Sequence, residues 1–210
     1  MGETQHLEAL LAADTRIRIS NTAGELFRRQ GMTGTGLKQI AEAAHAPFGS
    51  IYHFFPGGKT QLVDEVIRTT GAAYGEHVMT IFDACPDLPT AVEVAFAGAA
   101  QALVESDYAD ACPIATVALE VASTNETLRA ATAAVFTEWI EMGTRRIPAP
   151  GLPEHVRRRF VVGFIDCLEG AFVLARSLRS TEPLEAAGRM VLLAARAELA
   201  EYGAVSGEPR

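Results

Sequence analysis

The residues best able to do chemistry lie together, in the stretch Thr33 to Lys59 that reads TGTGLKQIAEAAHAPFGSIYHFFPGGK. Tyr52 and His53 carry polar tips suited to phosphate oxygens. Gly49 and Ser50 are poor helix-interior residues by propensity, yet they let a backbone lie close to base edges or phosphates. After Pro56-Gly57-Gly58 the chain restarts as a helix at Lys59. Helix N-terminal amides beside a lysine make a natural phosphate site. The chemistry on offer is non-covalent: recognition of a nucleic-acid backbone and its bases.

Two short elements must position these groups. Leu37, Ile40, Ala41 and Ala44 recur at helical spacing, the chain breaks at His45-Ala46-Pro47, and Ile51, Tyr52, Phe54 and Phe55 form a second run. Two short helices across such a turn predict a helix-turn-helix, whose second helix enters the DNA major groove. The turn calls for a left-handed residue, and His45 tolerates positive φ better than most, so it is assigned a turn role over a chemical one. Pro47 falls in the first turn of the third helix, about 47–54. Ile51, Phe54 and Phe55 are expected to pack inward and Tyr52 and His53 to point outward. Upstream, residues 1–13 read as a short arm. Asp14 and Thr15 offer N-cap chemistry for a first helix to about Gln30, buried along Ile19, Ala23, Leu26 and Phe27 and stopped by Gly31.

Charge separates this head from the rest. Arg16, Arg18, Arg28, Arg29, Lys38 and Lys59 stand against Glu25 and Glu42, a net of +4 within a chain of net −8, which leaves −12 elsewhere. A basic head on an acidic body suits a sequence-specific DNA binder that does not spread over its own DNA. The chain of 210 residues is about half apolar, enough for a proper core, and rich in Ala, Leu, Val and Glu with few alternating β-branched runs. That composition predicts an all-α fold. Cys85, Cys112 and Cys167 lack CxxC spacing and read as reduced thiols of a cytoplasmic protein. No signal segment appears, and no apolar run approaches the roughly 20 residues of a spanning helix. Five scattered histidines, with no Ser-His-Asp or metal spacing and no phosphate loop, argue against an enzyme, a metal or a cofactor.

Helix four is expected to run to about Phe82, with Leu62, Val63, Val66 and Ile67 on one face. Its small residues Gly71, Ala72, Ala73 and Gly75 let it lie close to a neighbour. Body helices follow at about 89–105, from Pro113 with Ile114, Val117 and Leu119, at about 127–143, 154–178 and 184–202. The last two are apolar on nearly all sides and must be covered on nearly all sides. A homodimer pairing them into a four-helix bundle meets that need. The domains so read are a helix-turn-helix DNA-binding domain at 14–59, a connecting helix at 60–82, and a regulatory ligand-binding and dimerisation domain at 83–202.

TGLKQIAEAA, a turn and FGSIYHFFPGGKTQLVDEVI together resemble the DNA-binding domain of the TetR/AcrR family of bacterial regulators. The TGL opening and YHFFPGGK look most like its LmrA/YxaF-type branch. CPIATVALEVAS, NETLRAA, FTEW, LEGAFVLAR and EPLEAAG are similar to that branch's regulatory domain, so the resemblance covers about residues 14–200. It implies that Thr35, Gly49, Ser50, Tyr52, His53 and Lys59 contact phosphates or bases of a double-stranded DNA operator, and Lys38 is counted with them. Relatives commonly carry lysine where Phe48 stands. Phe48 either packs against a thymine methyl group or packs under helix four.

In the body, an apolar cavity among the central helices is the default ligand site. Phe96, Ile114, Val117, Phe136, Trp139, Phe164, Leu168 and Phe172 are its candidate lining, for a small hydrophobic effector. Glu120, Asp166 and Glu169 need a reason to lie in apolar stretches. Asp166 and Glu169 either meet a cationic ligand or pair across the dimer with Arg176 or Arg179. The function expected is a ligand-responsive repressor that binds a palindromic operator as a homodimer and is released when effector binds. The alternatives are a DNA-binding regulator without a ligand and an activator.

Overall fold

The computed structural model describes residues 2–205, and the side chains of residues 13–202. Among the described residues the fold is all-α, with nine helices and no strand. They are α1 (Gly2–Gln30), α2 (Leu37–Ala43), α3 (Phe48–Phe54), α4 (Gly58–Asp83), α5 (Leu88–Glu105), α6 (Pro113–Val121), α7 (Glu126–Arg146), α8 (Glu154–Leu178) and α9 (Glu182–Val205).

Two compact units arise, and they do not follow the boundaries read from sequence. The first takes residues 1–71 together with 113–135; the second takes 72–112 and 136–210. The helix-turn-helix therefore shares its unit with α6 and the first half of α7. Periodicity within a segment cannot reveal such a grouping, because it depends on contacts far apart in the chain.

In the first unit, α1 begins at Gly2 instead of at a cap near Asp14. The segment Leu7 to Asp14 is rich in Leu, Ala and Glu, strong helix formers that carry the helix back through the expected arm. Asp14 accepts a hydrogen bond from Arg18 one turn on, within the helix. Gly31, at φ 77°, ends α1 in the left-handed conformation that glycine adopts without strain. Ile19, Ala23 and Phe27 of α1, Ile40, Ala41 and Ala44 at α2, Ile51 and Phe55 at α3, and Leu62 to Ile67 of α4 supply buried apolar side chains.

Three local expectations are corrected. Pro47 is the N-cap of α3 (φ −56°, ψ 137°), one residue outside its first turn. Phe54 is only half-buried, its ring edge-on to His53 at 4.8 Å. Leu119 is 77% exposed while Ile114 and Val117 are buried. Leu119 lies two residues, about 200°, round the helix from Val117.

In the second unit, Asp87 caps α5 by accepting from the Thr90 N–H at 2.8 Å. That hydrogen bond holds its carboxyl below the usual range. α5 and α8 both pack on α9, around Val92, Phe96, Phe164, Phe172, Leu184 and Val191. The loop after α5 has Asp107 and Tyr108 at positive φ, and two arginines hold it. Arg176 donates to the carbonyls of Tyr108 and Ala109, and Arg179 donates to the Asp107 carboxylate while its guanidinium sits 5.3 Å from the Tyr108 ring. Both arginines thus make contacts within their own chain.

Candidate nucleic-acid interface and cavity

The turn before α3 sets the interface. His45 adopts φ 50°, the left-handed bend expected of it. Ile51 and Phe55 have no exposed surface, so α3 is anchored along one face. Beside that buried edge stand Phe48 and Tyr52, each about half exposed (49% and 51%), one turn apart with rings edge-to-face at 5.8 Å. Gly49 and His53 are exposed beside them and Ser50 is half-buried. A Cβ added at Gly49 would meet nothing within 4 Å, so packing inside the chain does not require glycine there.

Lys59 is half-buried in the first turn of α4. Gly58 before it has φ 65° and lies against Tyr52, whose Cε1 is 3.8 Å from where a Cβ would stand. Gln61 accepts from the Gly57 N–H at 2.7 Å, using one amide of the expected phosphate site. Lys38 is exposed on α2, 3.8 Å from Glu42. The candidates Phe48, Gly49, Tyr52, His53 and Lys59 therefore come together, with Lys38 and Ser50 at their margin.

Thr35 does not join them. It is fully buried, its Oγ1 donating to the Gly31 carbonyl at 2.7 Å and accepting from Gln30 Nε2 at 3.0 Å. Its hydroxyl closes the corner between α1 and α2, so the side chain is not on the exposed surface that carries Tyr52. The head's arginines are also engaged. Arg16 pairs with Glu65, with Nε 3.2 Å from Oε1, which also accepts from Ser20 at 3.1 Å. Arg18 donates to the Ala44 carbonyl at 2.8 Å, tying α1 to the end of α2.

Glu120 of α6 has a defined role. Its carboxylate accepts from the backbone N–H groups of Met32 at 3.0 Å and Thr33 at 2.7 Å. These amides follow α1 and lead into the helix-turn-helix. A Cβ at Gly31 would fall 1.9 Å from Glu120 Oε1, so bare glycine is needed for the carboxylate's approach as well as for the turn. We expect Glu120→Ala to lower stability by about 1–2 kcal/mol, the loss from unmaking two charge-assisted hydrogen bonds at a partly exposed site. The midpoint of urea unfolding measures it.

The second unit holds a partly open apolar cavity. Tyr74, Gly75, Val78, Met79 and Phe82 of α4 line one side. Trp139, Met142, Gly143 and Ile147 line another, and Phe160, Val161, Phe164, Ile165, Leu168 and Glu169 of α8 complete it. Of the expected lining, Trp139, Phe164 and Leu168 are here. Phe136 and Phe96 stand behind them, edge-on to Trp139 at 5.5 Å and near edge-on to Phe164 at 5.4 Å. Phe172 is core, and Ile114 and Val117 are buried residues of the first unit.

The α4 wall was missed because helix four reads from sequence as a connector. Its signal was Gly75, where a Cβ would fall 2.6 Å from the Trp139 indole: the small residue admits the large one. Among the described residues Glu169 is the one carboxylate on the wall. Burial pushes its pKa up to about 7 against a lowering hydrogen bond with Cys112. Asp166 is exposed. Among the described residues no three His, Cys, Asp or Glu side chains gather as metal ligands.

An anchored second helix presenting an aromatic and polar face, beside a helix N-terminus with its lysine, defines a helix-turn-helix DNA-binding protein. Comparison with known proteins narrows this. The family model for bacterial regulatory proteins of the tetR family matches residues 19–66, and that for the C-terminal domain of LmrA/YxaF-like transcriptional regulators matches 89–190. An HTH-type transcriptional regulator of Mycobacterium tuberculosis, Rv0196, is 32% identical over 89% of this chain and 96% of its own. The HTH-type regulator LmrA of Bacillus subtilis is 27% identical over 81% and 91%. The TetR-family regulator CifR, solved with 26-base-pair operator DNA, shares the fold at a TM-score of 0.69, with 20% identity over 83% and 93% of the two chains. The chain belongs to the TetR family of transcriptional regulators, with an LmrA/YxaF-like C-terminal domain. It is a DNA-binding regulator and not an enzyme. No helix among the described residues is long and apolar enough to cross a membrane.

Proposed function

We propose that the protein is a cytoplasmic, ligand-responsive repressor. It binds a palindromic operator as a homodimer and leaves it when a small hydrophobic molecule occupies the cavity. The observation that carries this reading is the cavity wall on α4. That helix starts at the Lys59 end of the DNA interface and, farther along, supplies Tyr74 to Phe82 as lining. A ligand that presses on Tyr74 or Val78 acts on the helix that also positions Lys59. Coupling of about 1–3 kcal/mol, roughly 5–150-fold in operator affinity, is the usual scale, and linkage requires operator to weaken effector binding equally.

Phe48, Gly49, Ser50, Tyr52, His53, Lys38 and Lys59 are proposed as the operator contacts. The exposed apolar residues Val173, Leu174 and Leu178 of α8, with Met190 and Leu193 of α9, support the homodimer, each being more than half exposed in the single chain. Two heads about 34–36 Å apart would read a palindrome on one face of DNA. We expect Leu193→Arg to give a monomer in sedimentation equilibrium and to weaken operator binding at least about tenfold, since half a site gives little specificity. A folded, monomeric variant that binds the palindrome as well as wild type would overturn the paired-head reading. Binding of operator and effector that proves independent would remove the ligand-responsive one.

A further inference from the structure

We propose that the cavity selects apolar organic cations, lipophilic amines or quaternary onium ions, with Glu169 as their counter-ion. This rests on the cavity being the effector site. Three observations carry it. Among the described residues, Glu169 is the only carboxylate on a wall otherwise built of apolar and aromatic side chains and two glycines, and no lysine, arginine or histidine lines it. A carboxylate or phosphate would meet no cation on this wall. Tyr74 and Trp139 both line the cavity, their rings 5.6 Å apart and tilted by 42°. Two angled aromatic rings and a carboxylate lining one cavity offer a cation both its attractions, to a quadrupole and to a charge.

The third observation is the state of Glu169 itself. Burial raises its pKa to about 7, so near neutrality much of it holds its proton. A cation nearby favours the ionised form. The proton leaves for solvent as the onium group arrives, so that the pair forms in a site that otherwise disfavours a charge. A neutral ligand of the same shape gains burial but not this pairing. Asp166 and Arg176 do not line the cavity, so neither competes for the ligand.

The test uses the full chain at neutral pH and three probes of one skeleton: 1-naphthylmethylamine, 1-naphthalenemethanol and 1-naphthoic acid. Calorimetric titration of wild type is expected to rank the amine at least about tenfold tighter than the alcohol, with the acid weakest. That ratio corresponds to about 1.4 kcal/mol. In Glu169→Gln the amine should fall to the level of the alcohol, while the alcohol keeps its affinity. The inference is overturned if the alcohol or acid matches the amine on wild type, if Glu169→Gln retains the preference, or if none of the probes binds. Wild-type ranking alone decides it should the variant not fold. A mobility-shift assay with the same probes separates the two readings. An amine that binds through Glu169 yet leaves the operator bound keeps the ligand class and removes the repressor mechanism. An alcohol or acid that binds and releases the operator does the reverse.

Discussion

Glu169→Gln is expected to be more stable than wild type at about pH 8 and nearly equal to it at about pH 4, with the difference opening between them. In the folded protein the Glu169 pKa is raised to about 7 from its ordinary 4.5, chiefly by burial. Below the unfolded value both states hold the proton, and the site contributes no penalty. As pH rises past 4.5 the unfolded chain releases its proton while the folded one retains it, so stability falls. The fall is complete once pH passes about 7, where the folded carboxyl ionises as well. A separation of this size is worth on the order of 3 kcal/mol, from about 1.4 kcal/mol for each pH unit. Gln has the same shape, keeps an oxygen to accept from Cys112 and never ionises. Urea denaturation of both proteins across the range isolates the term, because every other titrating group is shared. A difference that stays constant with pH would show that Glu169 is an ordinary exposed carboxylate.

Phe55→Ala is expected to abolish operator binding and to cost about 3–5 kcal/mol, the range for truncating a buried phenylalanine. Phe55 has no exposed surface and closes α3, and the Arg16 guanidinium lies 5.3 Å from its ring. Removing the ring opens a cavity under the helix that carries Tyr52 and His53. Phe48→Ala is the matched control. Its side chain is half exposed at the start of the same helix, so stability should stay within about 0.5 kcal/mol. Its effect should appear in binding alone, and at particular base pairs if Phe48 meets a thymine methyl group. Thermal unfolding and mobility-shift titration on operator variants separate the two. Equal stability losses would refute the assignment of one residue to core and the other to surface.

How much of this could be read in the amino-acid order depended on the range of the interactions involved. Caps and breakers act over three or four residues, and they placed α5, α8 and the His45 turn to within a residue or two. The exposed face of α3 was legible for the same reason, since a short helix with Ile51 buried leaves few choices for Tyr52. The burial of Thr35 was not legible, because a threonine before a helix looks alike whether its hydroxyl meets a phosphate or the Gly31 carbonyl. Glu120 was recognised as a carboxylate needing a partner, but Met32 and Thr33 lie almost ninety positions away. Aromatic residues marked the cavity without distinguishing its wall from the layer behind. Trp139 and Phe164 face it, whereas Phe136 and Phe96 buttress them. Which of two adjacent aromatic rings is in front depends on helix packing that no local pattern encodes.

The link from Glu120 to Met32 and Thr33 bears on how such proteins can be recombined. A hybrid regulator made by splicing the first 59 or 82 residues onto a foreign body follows the apparent modular boundary, yet it leaves behind the acceptor for two of the head's own amides. It also leaves behind residues 113–135, which belong to the same compact unit as the head. A graft that carries this segment along with the head keeps the compact unit and its Glu120 acceptor together. A graft cut at the linear boundary transfers the reading surface with part of its support missing.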